Sequence, residues 1–127
     1  MNIQTHKDIS KALCGKPIRV EENEAEVLLE TTRDMAVDDK GLVHGGFVFG
    51  LADHAAMLAV NKETVVLGGS LCRFLRPAKV GDTLHAYAHV RQEKGKKRTV
   101  EASVFRDKTR VFSGDFTCFV LEKHILE

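Results

Sequence analysis

Residues 45–61 constrain the fold of this chain most. Gly45-Gly46 open the stretch. Phe47-Val48-Phe49-Gly50-Leu51-Ala52 and Ala55-Ala56-Met57-Leu58-Ala59-Val60 follow, interrupted only by Asp53 and His54. An apolar run of this length with no polar face predicts a helix buried on nearly every side. A membrane span needs about 20 apolar residues and does not carry Asp and His at its centre, so no membrane insertion is expected. Such a helix needs other elements to cover it. The chain of 127 residues has room for one domain, 1–127, around a single core.

The flanking segments read as the cover. Thr5 and Asp8 form a capping-box-like pair ahead of Ile9, Ala12 and Leu13, and Gly15 can close the short helix they predict. Ile18 and Val20 share one parity and Ala25, Val27 and Leu29 the other, so a turn or bulge is expected at Glu21-Glu22-Asn23-Glu24. Residues 31–43 read as loop. After the helix the pattern turns to strands. Residues 64–74 are β-rich but carry Gly68-Gly69, which predicts a bulge. Leu84, Ala86, Ala88 and Val90 alternate with His85, Tyr87, His89 and Arg91, as in a half-buried antiparallel strand. Lys94-Gly95-Lys96 and Asp107-Lys108-Thr109 mark the next two turns. With no helices between the late strands, the sheet must be antiparallel, and the class is α+β: one long buried helix against one curved sheet.

Charge and cysteine content narrow the function classes. Nineteen basic residues face eighteen acidic ones, which argues against a nucleic-acid binder. Residues 1–40 nevertheless hold six basic and nine acidic residues, and residues 73–110 eleven basic and four acidic. The second stretch suits an anionic partner or, equally, a solvated sheet surface. Cys14, Cys72 and Cys118 cannot all pair within one chain, and residues 1–8 have no apolar core of the kind a signal peptide needs. A reducing, cytoplasmic setting with free thiols is therefore expected. His85 and His89, four apart on a strand, lie about 13 Å from each other and cannot chelate one metal.

Chemistry points to His44-Gly45-Gly46 and Asp53. Two glycines at a helix start leave bare N–H donors where the helix dipole favours negative charge, an arrangement suited to an oxyanion. A carboxylate inside an apolar helix costs several kcal/mol, roughly, unless it is paired, faces a cavity or keeps its proton. Gly45 and Asp53 are eight residues apart, about 12 Å along one helix axis. Both can touch one carbonyl group only if Asp53 comes from a second copy, so a catalytic role predicts a dimer with composite sites.

The linked set Leu42-Val43-His44-Gly45-Gly46, Leu51-Ala52-Asp53 and Phe74-Leu75-Arg76-Pro77-Ala78-Lys79-Val80-Gly81-Asp82 resembles the hotdog-fold thioesterases of the phenylacetate-pathway (PaaI-like) type, over residues 18 to 121. The resemblance implies a hotdog fold and a homodimeric or homotetrameric acyl-CoA thioesterase that needs no metal and no cofactor. By position, the Gly45 N–H would hold the thioester oxygen. Asp53 of the neighbouring subunit would act as general base or as nucleophile. His44 would shape the site, with Gly46 beside it. Arg73, Arg76 and Lys79, with the Lys94–Arg98 hairpin, would meet CoA phosphates. Two positions depart from the family pattern. Many relatives carry Asn where this chain has Asp38. Leu67 stands where a Ser or Thr hydroxyl often faces the reaction, which leaves Ser70 as a stand-in. Phe47, Phe49, Met57, Leu67 and Phe74 are candidates for the acyl pocket. The competing readings are a non-catalytic acyl-CoA sensor, which in the family lacks the acid, and a hydratase, for which no second acid lies near His44.

Overall fold

The computed structural model describes residues 1–127. In chain order it contains α1 (Lys11–Cys14), β1 (Lys16–Glu21), β2 (Glu24–Glu30), a 3-10 turn at Arg33–Met35, α2 (Gly45–Val60), β3 (Val65–Phe74), β4 (Thr83–Lys94), β5 (Lys97–Arg106) and β6 (Thr109–Val120). The six strands make one antiparallel sheet in the order β1-β2-β4-β5-β6-β3. This is the hotdog architecture: a long helix held against one face of a curved sheet.

Alternation decides which face each strand shows to the helix. Val27, Ala86, Val104 and Phe112 stand opposite one another across β2, β4, β5 and β6 and are all buried. Directly opposed residues in an antiparallel pair share a face, so this row and its neighbours form the floor under α2. The helix packs chiefly on β4, β2 and β5 and touches β3 and β6 less. Leu51, Ala52, Ala55, Leu58 and Ala59 are fully buried in that contact. Small residues at 52, 55, 56 and 59 let the helix backbone sit close to the sheet. Asn61 ends the helix in the left-handed conformation (φ 51°), its N–H donating to the Met57 carbonyl oxygen.

Two edges remain. β1 is one. β3 is the other, and it is long and bare: residues 68–71 are exposed, with Leu71 at 81%. The expected bulge lies between Leu67 and Gly69. A strand edge of this length, open on one side and carrying an exposed leucine, is a template for another strand.

The N-terminal helix differs from its expected start. It begins at Lys11, where the Ser10 hydroxyl accepts the Leu13 N–H (3.3 Å). His6 adopts a left-handed conformation (φ 55°) that breaks any helix through residue 6. The Thr5 hydroxyl pairs with the His6 ring (2.8 Å) instead of capping a helix. Gly15 closes α1 at φ +99°, pressed against Val27 and Leu51.

Candidate functional site

The start of α2 is held by two loops. His44 is the N-cap residue; its N–H donates to the Met35 carbonyl oxygen (2.9 Å), and its own carbonyl oxygen accepts from Phe47 (3.0 Å). Val43 donates to Ala78 (2.9 Å) and Val80 to Gly41 (2.8 Å), which ties the loop before the helix to residues 76–82. That second loop is rigid for local reasons. The Asp82 carboxylate accepts the Lys79 N–H (2.8 Å), the buried Thr31 hydroxyl reaches the Lys79 and Asp82 carbonyl oxygens, and Arg106 donates to Pro77 (2.7 Å). The Pro-Ala-Lys-Val-Gly-Asp run thus buttresses the helix N-terminus.

At that N-terminus no side chain caps the helix. The Gly45 N–H has no intrahelical acceptor, as for any first-turn donor. A β-carbon at Gly45 would lie 3.2 Å from the Phe74 ring, and one at Gly46 would lie 3.0 Å from the His44 ring. The two glycines therefore keep space that these rings occupy. His44 is exposed and meets Phe47 edge-on (6.1 Å between centroids, 80°). A cleft of about 300 Å³ opens here between Val43, Gly45, Val48, Phe74, Arg76 and Ala78.

Two helical turns along, Asp53 is mostly buried, and its Oδ1 has no hydrogen-bond partner. Burial alone pushes its pKa up from 3.8 to about 6. No basic group offsets this. The Asp53 charge reaches two thiols: with burial as the larger cause, it raises Cys14 and pushes Cys118 up to about 12. Asp53 therefore lies within electrostatic reach of both the end of α1 and β6. Leu67 faces Cys118 across β3 and β6, on the helix side. Four aromatic rings pack in a chain from Phe74 to Phe49. Phe74 meets Phe112 (5.1 Å), Phe112 meets Phe116 (6.3 Å) and Phe116 meets Phe49 (5.4 Å), one turn before Asp53.

His54, adjacent in sequence, points elsewhere. It is buried, its Nδ1 pairs with the Cys14 carbonyl oxygen (3.0 Å), and His6 stacks over it. Met57 is buried within the core.

Other candidates separate. Asp38 is outside the cleft: its Oδ1 accepts the Lys40 and Leu42 N–H groups (3.0 and 3.2 Å) and so closes the loop that the family's Asn would occupy. Ser70 pairs with Phe116, which places it on the helix side of the bare edge strand. The basic residues do not form one region. Arg76 borders the cleft. Arg73 pairs with Ser113 and lies with Arg91 and Arg110 on the outer face of the sheet. The Lys94–Arg98 hairpin sits near the other end of α2, where Arg98 is buried and spends its guanidinium on Gly95, Lys97 and Glu93. Strand parity and strand order separate residues that are close in sequence. No group of three His, Cys, Asp or Glu side chains converges on a point where a metal could bind, and no helix is long and apolar enough to cross a membrane.

Comparison with known proteins agrees with this architecture. A family model described as the thioesterase superfamily matches residues 40–113. The structure of PH1136 from Pyrococcus horikoshii superposes with a TM-score of 0.99 at 56% identity, covering 100% of this chain and 98% of the other. The PaaI protein of the E. coli phenylacetic acid degradation operon superposes with a TM-score of 0.83 at 27% identity over 94% and 88% of the two chains. Among curated sequences, methylthioribose-1-phosphate isomerase of Aquifex aeolicus is 50% identical over 96% of this chain, and the transcription factor FapR of Caldanaerobacter subterraneus is 28% identical over 79%. The chain spans only 27% and 50% of those two proteins.

Proposed function

The chain belongs to the thioesterase superfamily, and on that premise we propose that it hydrolyses an acyl-CoA thioester to the free acid and CoA. In this reading the Gly45 N–H of one subunit receives the carbonyl oxygen, and Asp53 of a second subunit attacks the problem from the other side. As general base, Asp53 takes a proton from water; the water oxygen bonds to the carbonyl carbon, and the C–S bond breaks. The CoA thiolate leaves with the proton that Asp53 had taken. As nucleophile, the Asp53 carboxylate bonds to the carbonyl carbon, the C–S bond breaks and CoA leaves as a thiolate that takes a proton from solvent; water then cleaves the mixed anhydride and restores the Asp53 carboxylate. Either route builds negative charge on the oxygen only after attack, so a donor at the helix start favours the transition state over the substrate.

The observation that carries this reading is the unpartnered, buried Oδ1 of Asp53. A pKa of about 6 leaves the carboxylate mostly ionised at neutral pH yet more basic than an aspartate in water. Gly45 and Asp53 lie about 12 Å apart along one helix, so this reading calls for a site shared between two copies. The bare β3 edge supplies the surface for a second copy, and an antiparallel β3–β3 pair would set the two α2 helices against each other across a two-fold axis. His44 shapes the approach with Gly46. Ser70 lies on the helix side of β3, Arg76 borders the cleft for a CoA phosphate, and Lys79 follows in the same loop; a dimer or tetramer satisfies the scheme.

A second reading is binding without turnover, favoured by the likeness to FapR, a transcription factor. Mixing two inactive variants separates the readings and tests the composite site. Asp53→Asn removes the acid. Gly45→Pro removes the N–H at the first helical position, whose backbone suits proline, with the Phe74 ring shifting by a few tenths of an ångström to admit the β-carbon. Each alone is expected to release no thiol from acyl-CoA. Refolded together in equal amounts, half the dimers are mixed and each of those holds one intact site, so about a quarter of wild-type activity returns. No recovery with stable mixed dimers would overturn the composite site. Tight acyl-CoA binding with no hydrolysis by the wild type would favour the sensor.

A further inference from the structure

The outer face of the sheet, away from α2, carries aromatic and cationic residues that the proposed chemistry does not use. Register places them in two neighbouring rows. One runs Glu26, Tyr87, Ser103, Ser113, Arg73 across β2, β4, β5, β6 and β3; the other runs Leu28, His85, Phe105, Arg110 across β2, β4, β5 and β6. The solvent face of an antiparallel sheet is ordinarily polar. Here His85 and Tyr87 stack in parallel (4.5 Å, 12°), Phe105 meets Tyr87 edge-on (5.8 Å), and the Arg110 guanidinium lies over the Phe105 ring (5.5 Å).

Two hollows lie along this patch. One, of about 640 Å³, is lined by His85, Tyr87, Phe105 and Lys108. The other, of about 330 Å³, is lined by Arg73, Ser103, Arg110 and Ser113. Phe105 and the Arg110 stacked on it divide them. The charges are arranged so that the cationic end stays open. Arg91 takes both nearby carboxylates, Glu101 (2.9 Å) and Asp115 (3.6 Å). Glu26 is held by Arg19 and by the His85 ring. Arg73 and Arg110 have no carboxylate partner, and Ser103 and Ser113 lie between Tyr87 and Arg73 in the register.

We infer that this face is a binding site for a nucleoside phosphate: an aromatic base against Tyr87 and Phe105, the sugar over Ser103 and Ser113, and phosphate on Arg73 and Arg110. From Tyr87 to Arg73 is three strand steps, about 14 Å, a length that suits a base joined through its sugar to a diphosphate. Stacking on aromatic side chains tolerates any base, and guanidinium groups match phosphate oxygens in pairs. The ligand chemistry has two sources, a free nucleotide or the nucleotide tail of CoA. The site stands on the outer-face geometry and does not depend on hydrolysis.

The chain has one tyrosine and no tryptophan, so intrinsic fluorescence reports Tyr87 alone. Titration of the full chain with ADP, corrected for absorbance with free tyrosinamide, is expected to quench it saturably. Adenosine and pyrophosphate should each bind at least about tenfold more weakly than ADP. Arg73→Gln and Arg110→Gln should each weaken ADP about tenfold with unchanged thermal melts, and Arg73→Lys should recover part of the loss. Calorimetric titration of CoA into the ADP-saturated chain then separates the sources. Competition assigns the site to the CoA tail, and simultaneous binding assigns it to a free nucleotide. Absence of saturable quenching, equal affinity for adenosine and ADP, or indifference to both arginine variants would overturn the site.

Discussion

Asp53→Asn is expected to make the protein more stable while removing its proposed activity. The carboxyl titrates at about 6 in the folded chain against an ordinary 3.8, because burial disfavours its charged form. A raised folded pKa stabilises the fold while the group is protonated and loses that contribution as pH rises through the folded pKa. At pH 7 the shift corresponds to a penalty of about 3 kcal/mol on the wild type. Asparagine has the same shape and never ionises. The gain of the variant should therefore be close to nothing near pH 3, grow between about pH 4 and 6, and reach up to about 3 kcal/mol at pH 7. For a chain of this size that is a rise in Tm of about 10 °C. Chemical denaturation of both proteins at a series of pH values, with melts alongside, measures it. A gain of the same size at every pH would place the cause in packing. No gain at pH 7 would show that Asp53 has a partner in the assembled protein, and would refute the argument from an unpaired buried carboxylate.

The same acid sets a pH profile: kcat/KM for thioester hydrolysis should rise with pH through about 6 and level off, because both proposed roles need the ionised form; a flat profile across that range would remove Asp53 from the mechanism. Gly15→Ala should lower stability by about 1–3 kcal/mol in denaturant titrations, since a β-carbon there meets Val27 and Leu51 at a φ of +99°. Thiol labelling of the native chain at pH 8 should spare Cys118, which is fully buried and pushed up to about 12, and should reach it only on unfolding. Mass spectrometry of the labelled peptides checks this.

The long helix, its acid and the half-buried strands could be read from residue order because they are local. A run such as 47–60 with no polar face has to be covered, and Leu84, Ala86 and Ala88 between polar residues can bury only one side of a strand. A separation of eight residues between Gly45 and Asp53 is enough to call for a second copy in any shared chemistry. Strand neighbours are not local. β3 follows the helix in sequence yet pairs with β6, the last strand, and so becomes a bare edge. That pairing puts Arg73 on the outer face beside Arg110, while the chain leaves the strand at Phe74 and carries Arg76 to the cleft. It also lines Tyr87, Ser103, Ser113 and Arg73 into one row drawn from four strands. His6 illustrates the opposite failure: a promising cap at Thr5 was lost because one left-handed residue ended the helix before it began. Periodicity records whether a residue is covered; what covers it depends on which distant segments pair, and that follows from the packing of the whole chain.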